Sequence, residues 1–366
     1  MTQRRKLLFY THALAGGGAE RVFARLASGF SDRGDRVTFA VDFEAQENRA
    51  LLSRDVDLVV LPRGHGPATL ALAKLLRRER FDASLSAISV SNLKHAVAAT
   101  LAGGLGRALI TYHGFYESEA ARLSNIGYRL TPLLSRAAGG AVAVSNALRY
   151  DLVKRFSVPE ARIRTIYNPA APEPFPAEAT AEDLVARAPI VLAMGRLVPD
   201  KDFMTLIRAF ARIENPEASL VILGEGPERA RLLFEAERLG VAARVALPGF
   251  TRDIGRELAR AKCLVVSSER ETFGLSCVEA LAYGLPVIVT DCGGPAEVLG
   301  PAADGSPVRV GDVEALARRI EAALSYPGDP APRQGRARAF SLDAALDAYD
   351  ALISDIVHGN AHSARR

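Results

Sequence analysis

The sequence lacks the patterns that mark several common protein classes. Its 366 residues hold only three cysteines, Cys263, Cys277 and Cys292, and no two of them form a C-x2-C pair. An odd, unpaired set argues against a disulfide framework and favours buried thiols in a reducing compartment. No apolar run approaches the ~18 residues that a membrane-spanning helix needs. We therefore expect a cytoplasmic protein, either free or peripheral at the inner face of the cytoplasmic membrane.

Motifs for metal, nicotinamide and nucleic-acid binding are missing too. The six histidines form no H-E-x-x-H pair, and His358 and His362 lie in a polar tail. The glycines after the first predicted strand do not spell G-x-G-x-x-G with an acid about 20 residues on, which disfavours a nicotinamide dehydrogenase. No zinc spacing or aromatic-rich basic strand points to nucleic acid. The sequence thus predicts no metal, no cofactor and no nucleic-acid partner.

The net charge of +4 is unevenly distributed along the chain. Residues 1–170 carry 24 Lys and Arg against 14 Asp and Glu, while the remaining residues carry 22 against 28. The front part therefore has a charge of +10 and the rest a charge of −6. A basic front part predicts an anionic partner, such as a phosphate or an acidic lipid surface.

Apolar strand-like runs alternate with amphipathic helix-like runs through the chain. KLLFYT and RVTFAVDF are examples in the front part, and PIVLAMG and CLVVSS in the back part. This alternation is typical of a parallel sheet with helices on both faces. The segment 169–188, rich in Pro, Ala and Glu, is the best linker candidate. We predict two doubly wound, Rossmann-like α/β domains, 1–170 and 188–344, that face each other across a cleft. A last helix, about 345–358, packs on either domain.

Two loops that follow the first strand of each half suit a phosphate. Gly16, Gly17 and Gly18 open a helix, and consecutive glycines let backbone N–H groups approach a phosphate at the positive helix end. A flexible turn is the plain alternative. In the second half, Arg196 and Lys201 stand five residues apart around a Pro turn. Their guanidinium and ammonium groups suit a diphosphate, and a solvated surface turn is the alternative.

The segment ETFGLSCVE places two carboxylates, Glu271 and Glu279, eight residues apart across a strand-to-helix loop. Loops at the carboxyl ends of parallel strands are where α/β sheets bind ligands. An acid in such an apolar setting is costly unless something bonds to it. The pair therefore predicts hydrogen bonds to the hydroxyl groups of a sugar or a ribose.

Together these segments resemble the retaining glycosyltransferases of family 4, which have the GT-B fold. The resemblance covers nearly the whole chain and rests on GGGAER, GRLVPDK, GEGPER and ETFGLSCVEALAYGLPVIVTDCGGPAEV. It implies that Glu271 meets hydroxyls of the donor sugar and Glu279 the ribose of the nucleotide. Arg196 and Lys201 would bind the donor diphosphate. The backbone amides implied to hold the sugar and the phosphates belong to Gly16, Gly17, Phe273, Gly274 and Leu275.

His113 ends a predicted strand of the front half in the motif TYHG. The resemblance implies a sugar-contacting or catalytic role for it, and a structural or surface histidine is the alternative. Members of the family are thought to use front-face substitution, in which the leaving phosphate helps to take the acceptor proton. The implied catalytic set, Glu271, His113, Arg196 and Lys201, then acts by positioning and electrostatic stabilisation, without a protein nucleophile.

Asp55-Val56-Asp57 spells the D-x-D of metal-dependent glycosyltransferases, which have a different fold. In those enzymes the motif lies where a strand ends, whereas here it precedes the predicted strand LVVLP. We interpret it as a chance occurrence and expect no catalytic metal.

Polar residues of the front half are candidates for contact with an acceptor or a membrane. They are Lys74, Arg77 and Arg78 on one helical stretch, Arg122 and Arg129 on another, and Ser91, Asn92 and Lys94 after a strand. Thr131-Pro132 has the pattern of an N-cap and the first residue of a new helix, which separates Arg136 from Arg122 and Arg129. A basic helical face attracts anionic headgroups or a lipid-linked diphosphate. A merely solvated surface is the alternative.

The resemblance implies a retaining, metal-independent hexosyltransferase. It would move a hexosyl or N-acetylhexosaminyl group from a UDP- or GDP-sugar to a glycan or a polyprenyl-diphosphate-linked acceptor. Such transfer builds cell-surface polysaccharide, lipopolysaccharide or glycan precursors. Two rivals stay open: a nucleotide-sugar 2-epimerase on the same fold, which needs no acceptor, and a non-enzymatic protein that binds anionic polymers.

Overall fold

The computed structural model describes residues 4–116, 122–251, 253–300 and 306–358. These residues form two compact units. Unit 1 comprises the described residues of Met1–Pro169 and Leu342–Arg366, and unit 2 those of Ala170–Ser341. Each unit contains one parallel β-sheet with helices between successive strands, as the β-α alternation of the sequence predicts.

The sheet of unit 1 has seven strands. They are β1 (Lys6–Thr11), β2 (Arg36–Val41), β3 (Asp57–Val60), β4 (Ala83–Ala87), β5 (Ala108–Tyr112), β6 (Gly140–Ala143) and β7 (Ile163–Thr165). Their spatial order is β3-β2-β1-β4-β5-β6-β7, and all pairings are parallel. The chain switches direction across the sheet between β1 and β4, and sheets of this kind bind ligands beyond the carboxyl ends of their strands near such a point.

Five helices connect these strands. They are α1 (Gly18–Asp32), α2 (His65–Glu79), α3 (Ser89–Leu101), α4 (Arg122–Ala137) and α5 (Asn146–Phe156). The core between α1 and the sheet is aromatic, since Phe9 of β1 meets Phe23 and Phe30 with ring centroids 5.5 and 6.1 Å apart. All three rings are fully buried, so α1 is anchored with its first residue directly after the glycine-rich turn.

Helix α4 runs through Pro132 without a break. The prediction that Thr131 and Pro132 start a new helix is therefore wrong. Thr131 is fully buried, and its hydroxyl donates to the carbonyl of Gly127 one turn earlier and accepts a hydrogen bond from the hydroxyl of Tyr112. The side chain is used inside the helix and the core, so it does not cap a new one. Packing of this kind holds the helix together although proline lacks an N–H donor.

The sheet of unit 2 has five strands. They are β8 (Ile190–Met194), β9 (Ser219–Leu223), β10 (Val245–Gly249), β11 (Cys263–Val266) and β12 (Val287–Val289). Their spatial order is β10-β9-β8-β11-β12, and they too are parallel. The apolar run IVLAM forms the central strand and CLVV a strand beside it, and both are apolar because both faces of a parallel sheet are covered.

Unit 2 has eight helices among the described residues, and the first of them lies within the segment that the sequence suggests as a linker. They are α6 (Ala181–Ala186), α7 (Phe203–Phe210), α8 (Arg229–Arg238), α9 (Ile254–Arg260), α10 (Leu275–Ala282), α11 (Gly294–Leu299), α12 (Val313–Ser325) and α13 (Ala331–Arg338). A reciprocal pair of hydrogen bonds between Thr180 and Asp183 caps α6, and Leu184 is fully buried. Residues 170–188 thus belong to unit 2, although most of them are exposed.

The last helix, α14 (Leu342–Val357), belongs to unit 1. It packs on α1, where Arg33 bonds Asp343 at 2.8 Å and Asp347 at 2.6 Å. Arg5, just before β1, adds an ion pair with Asp350 at 2.6 Å. Of the two options left by the sequence, the chain takes the return to the first domain.

The three cysteines are free and buried, as predicted. Burial raises the pKa of Cys263 to about 12 and that of Cys292 to about 11, so both are neutral thiols. Within the described ranges, no helix is long and apolar enough to cross a membrane.

Candidate functional site

Glu271 lies in the loop between β11 and α10, and the neighbouring turn fixes its backbone. Its N–H donates to the carbonyl of Cys292 at 2.9 Å, and its own carbonyl accepts from Gly294 N–H at 2.8 Å. These bonds add a short parallel bridge between Glu271 and Gly293 beyond the end of β12. The side chain is one-fifth exposed. A carboxylate is therefore held in a set place at the carboxyl edge of this sheet, where α/β sheets bind ligands.

Lys201 forms an ion pair with Glu271, its ammonium group donating to Oε2. The loops that carry the two residues are joined as well. Ser267 Oγ donates to the carbonyl of Lys201 at 2.9 Å, and Glu269 N–H to the carbonyl of Asp200 at 2.9 Å. The family resemblance assigns Lys201 and Glu271 to different parts of a donor, the diphosphate and the sugar. The structure brings them into contact, so each charge is balanced before any ligand arrives.

The loop that carries Arg196 and Lys201 rests on the turn after β9. Leu197 N–H donates to the carbonyl of Glu225 at 2.9 Å, and Glu228 N–H donates to the carbonyl of Leu197 at 3.0 Å. Gly224 makes this approach possible: its φ is +133°, and a Cβ there would lie 2.0 Å from the carbonyl oxygen of Gly195. The motif GEGPER, which carries part of the family resemblance, thus supports the cationic loop. Sequence reasoning assigned it no role.

Arg196 stands on the exposed side of this loop. It forms no ion pair with another described residue. A guanidinium in this setting can swing toward an anionic ligand without breaking an existing bond.

Gly274 precedes the first residue of α10 and adopts φ +89°, a conformation that side chains disfavour. It gives the helix no side-chain cap, while Phe273 beside it is buried. The amides of the first turn of α10 lie next to Glu271, at the positive end of the helix dipole. Leu275 and Glu279 follow four residues apart on the half-buried face of the helix. The unit 2 residues predicted to bind a donor are thereby gathered at one sheet edge.

The glycine turn of unit 1 has an acidic neighbour. Gly17 precedes α1, and the carboxylate of Glu20 lies against it, 2.1 Å from where a Cβ would stand. Asn48 shapes the turn by donating to the carbonyls of Ala15 and Gly17. An anion at Gly16 and Gly17 stays a prediction, and it requires the Glu20 carboxylate to move. Sequence reasoning missed Glu20, although acids are common in the first turn of a helix.

His113 directly follows β5 and is half-buried. Its Nε2 is 3.0 Å from Thr111 Oγ1, and its ring meets Phe23 edge-on with centroids 5.7 Å apart. Burial lowers the pKa of His113 to about 3, so the imidazole is neutral near pH 7. A neutral, fixed ring suits hydrogen bonding to a sugar better than charge stabilisation.

Ser91 and Asn92 are buried in the packing of α3 against the sheet. Asn92 accepts from Ser86 Oγ and donates to the carbonyl of Thr111, both at 2.8 Å, and so ties β4 to β5. Their burial argues against the predicted contact with an acceptor. Lys94, also buried, pairs with Asp42 after β2.

The basic side chains predicted to face a membrane are exposed where they are described. Lys74, Arg77 and Arg78 lie on the outer face of α2, and Arg129 lies on α4. Arg122 starts α4, but its side chain falls outside the described part of the chain. The D-x-D sequence lies at the start of β3, whose first residue is Asp57. Among the described residues, no group of three His, Cys, Asp or Glu side chains is placed to hold a metal ion.

Two family models match the chain in succession. The model described as "Glycosyltransferase Family 4" matches residues 16–173, and the one described as "Glycosyl transferases group 1" matches residues 177–339. Both agree with the resemblance found in the sequence.

Curated relatives match parts of the chain. The lipopolysaccharide core biosynthesis glycosyltransferase LpsE of Rhizobium meliloti is 41% identical over 139 residues, which are 38% of this chain and 40% of the relative. LpsD of the same organism is 34% identical over 173 residues, 47% of this chain and 49% of the relative. A Campylobacter jejuni N-acetylgalactosaminyltransferase that acts on a diphospho-undecaprenol sugar is 33% identical over 141 residues, 38% of each chain. The chain thus spans half or less of the length of these relatives.

Solved structures resemble the chain over nearly all of its length. Anabaena Alr3699/HepE in complex with UDP and glucose aligns with a TM-score of 0.82 at 21% identity, covering 96% of this chain and 100% of that one. The lipopolysaccharide outer core galactosyltransferase WaaB aligns at 0.73 and 18% identity, covering 96% and 99%. Such identities establish the fold alone. The predicted GT-B fold, two parallel-sheet α/β domains in succession, is confirmed.

Proposed function

Because the chain belongs to the glycosyltransferases of family 4, we propose that it is a retaining, metal-independent hexosyltransferase. It takes a hexosyl or N-acetylhexosaminyl group from a UDP- or GDP-sugar. It passes the group to a glycan or a polyprenyl-diphosphate-linked acceptor in the synthesis of lipopolysaccharide or cell-surface polysaccharide. The similarity to LpsE and to the Campylobacter enzyme supports this choice of acceptors. The UDP bound in HepE supports UDP-sugars as the first donors to test.

The observation that carries the proposal is the Lys201–Glu271 pair at the carboxyl edge of the unit 2 sheet. A bound nucleotide-diphosphate sugar brings two negative phosphates and several hydroxyls to this edge. Lys201 and the exposed Arg196 then neutralise the diphosphate, while Glu271 accepts hydrogen bonds from sugar hydroxyls. Glu279, about one turn into α10, accepts from the ribose. Ligand binding thus breaks the ion pair of the free protein. Lys201 then pairs with the diphosphate, and Glu271 accepts hydrogen bonds from the sugar.

The chemistry that follows from this arrangement is electrostatic. When the bond between sugar and diphosphate breaks, negative charge grows on the leaving phosphate, and fixed cations at that place lower the barrier. One such preorganised group is worth about 2.7–4 kcal/mol of transition-state stabilisation in enzymes where it has been removed. The neutral His113 has a supporting part, as a hydrogen-bonding partner for the sugar.

The test is nucleotide release from a panel of UDP- and GDP-sugars, with simple glycosides and an undecaprenyl-diphosphate-linked sugar as acceptors. We expect release with one donor class, and a fall of about a hundredfold or more in Glu271→Gln. Glu269→Gln is the matched control, because Glu269 is an exposed acid two residues away. Equal rates in Glu271→Gln and the control refute the assignment of Glu271, and no release with any donor refutes the function.

We further propose that unit 1 binds anionic membrane through α2 and α4. Lys74 and Arg77 are exposed on α2, and Arg129 is exposed on α4 beside the exposed apolar side chains of Leu130 and Leu133. Basic residues near an acidic bilayer contribute about 1 kcal/mol each, and apolar neighbours add burial in the interface. The triple variant Lys74→Ala/Arg77→Ala/Arg78→Ala should lose most sedimentation with phosphatidylglycerol vesicles. Sedimentation equal to that of the parent protein contradicts this surface.

A further inference from the structure

Unit 1 contains a cavity of about 600 Å³ of its own. It lies beyond the carboxyl ends of β1, β2 and β3, the edge of the sheet where ligands of such folds bind. Its volume is in the range of small-ligand sites. Its lining includes His12, Asp42, Phe43, Val60 and Lys94. None of them belongs to the donor site described above.

A buried carboxylate, Asp42, forms the floor of this cavity. It accepts hydrogen bonds from the hydroxyl of Tyr10 at 2.8 Å, from His12 Nδ1 at 2.5 Å and from the ammonium group of Lys94. Burial opposes ionisation of Asp42, but these donors outweigh it and hold the pKa of the carboxyl below its usual range. Asp42 thus remains a carboxylate, and three donors of the protein already bond to it.

His12 is the member of this cluster that reaches into the cavity. Its side chain is 48% exposed, whereas Asp42 and Lys94 are 8% and 6% exposed. The ring is fixed on two sides, by the bond from Nδ1 to Asp42 and by edge-on contact with Phe43, whose centroid is 4.9 Å away. With Nδ1 engaged, Nε2 is left for a ligand, and it makes no hydrogen bond with another described residue.

The cavity wall beside His12 is apolar and open to solvent. Phe43 is 41% exposed and Val60 is 49% exposed, which leaves an aromatic ring and an aliphatic side chain at the mouth. A pyranose has an apolar face of C–H groups that packs on such a ring, and hydroxyl groups along its edge. An oriented polar nitrogen beside an exposed aromatic ring therefore matches the two kinds of surface that a sugar presents.

We propose that this cavity binds a pyranose ring of the acceptor, with Phe43 against the apolar face of the ring and His12 Nε2 bonded to a sugar hydroxyl. Asp42 is a positioning residue that holds His12, and it does not touch the sugar. The proposal rests on the proposed function, since an acceptor exists only if the chain transfers sugar. A purely structural role would explain the buried Asp42–Lys94 pair, but it does not require an exposed histidine fixed on two sides.

The test uses the full chain with UDP bound and a panel of methyl glycopyranosides of glucose, galactose, mannose and N-acetylglucosamine. Saturation-transfer NMR reports which of them bind. We expect at least one to bind the parent protein, and about fivefold weaker binding in Phe43→Ala and in His12→Asn. His12→Asn keeps an amide near the position of Nδ1 for Asp42 but removes Nε2. An unchanged melting temperature of this variant shows that the floor is intact.

Two variants serve as matched controls. Phe234→Ala removes an aromatic side chain that is 65% exposed on unit 2, and His358→Ala removes an exposed histidine at the end of α14. Both should bind the glycosides like the parent protein. If no glycoside binds, or if His12→Asn and Phe43→Ala bind as tightly as the controls, the proposal is overturned. Retained binding of UDP in that case leaves the donor site standing, so the two failures are distinguishable.

Discussion

The Lys201–Glu271 pair gives the sharpest prediction, because its two side chains should be coupled in stability and replacing them should have opposite effects on nucleotide binding. At an effective dielectric constant of about 20, two unit charges about 4 Å apart attract by about 4 kcal/mol. Lys201 is 25% exposed and Glu271 20% exposed, so water screens the pair and desolvation opposes it. The net coupling should therefore be about 1 kcal/mol.

A double-mutant cycle measures this coupling. Lys201→Met and Glu271→Gln should each lower the melting temperature. The decrease in the double variant should be about 2–4 °C smaller than the sum of the two single decreases, which corresponds to about 1 kcal/mol for a domain of this size. Lys262→Met is the control, since Lys262 donates to the carbonyl of Val185 and forms no ion pair with a described carboxylate. Strictly additive shifts would refute the coupling inferred from the contact.

Binding of UDP to the same variants distinguishes the effect of the Lys201 charge from that of the Glu271 charge. Lys201→Met should weaken UDP binding about tenfold or more, because a cation near the diphosphate is lost. Glu271→Gln should leave UDP binding equal or tighter, since it removes a negative charge and releases Lys201. Titration calorimetry with UDP reads both effects, and weaker binding in both variants would contradict the exchange of partners.

Other predictions test single features. Glu279→Ala should weaken binding of the bare nucleotide by several-fold in calorimetry, and an unchanged affinity rules out its contact with the ribose. Gly224→Ala should lower the free energy of unfolding by more than about 2 kcal/mol in urea, because its Cβ would overlap a carbonyl oxygen at φ +133°, whereas Gly335→Ala, inside α13 with open space around it, should be neutral or stabilising. His95 is fully buried, and burial lowers its pKa to about 4 from an unfolded value of 6.5. The unfolded chain then binds more protons below pH 6.5, so the contribution of His95 to stability should fall by about 2 kcal/mol between pH 7 and pH 5, and His95→Gln should remove this part of the loss in pH-dependent melting.

The fold was predictable from the sequence because the spacing of apolar residues differs between strands and helices. Apolar runs such as IVLAM and CLVV are long enough to be strands and lie between helical patterns, so the parallel sheets followed. Helix boundaries were less certain where local signals conflict with packing. Thr131 and Pro132 look like a helix start, but the burial of Thr131 against Tyr112 keeps them inside α4. The Pro-rich composition of 169–188 suggests a linker, and the structure assigns all of this segment except Pro169 to unit 2.

The candidate site was predictable only in its parts. Glu271, Lys201 and Gly274 stood out because residues of these types follow strands at the ligand-binding edge. Their mutual contact was not predictable, since spacing along the chain gives no distance between separate loops. The same limit hid the Glu20 carboxylate at Gly17 and the bond from His12 to Asp42, which join residues of different elements. It also hid the burial of Asn92. The polarity of this residue suggested a surface contact, but its side chain donates to the carbonyl of Thr111 inside the unit.

The measurement that tests the central claim most directly is calorimetric titration of UDP- and GDP-sugars into the parent protein and into Lys201→Met. We predict that a nucleotide sugar of one base binds the parent protein and binds Lys201→Met at least tenfold more weakly, while Lys262→Met binds it as tightly as the parent protein does. Binding that is equal in Lys201→Met and the parent protein, or no binding of any nucleotide sugar, would contradict the account.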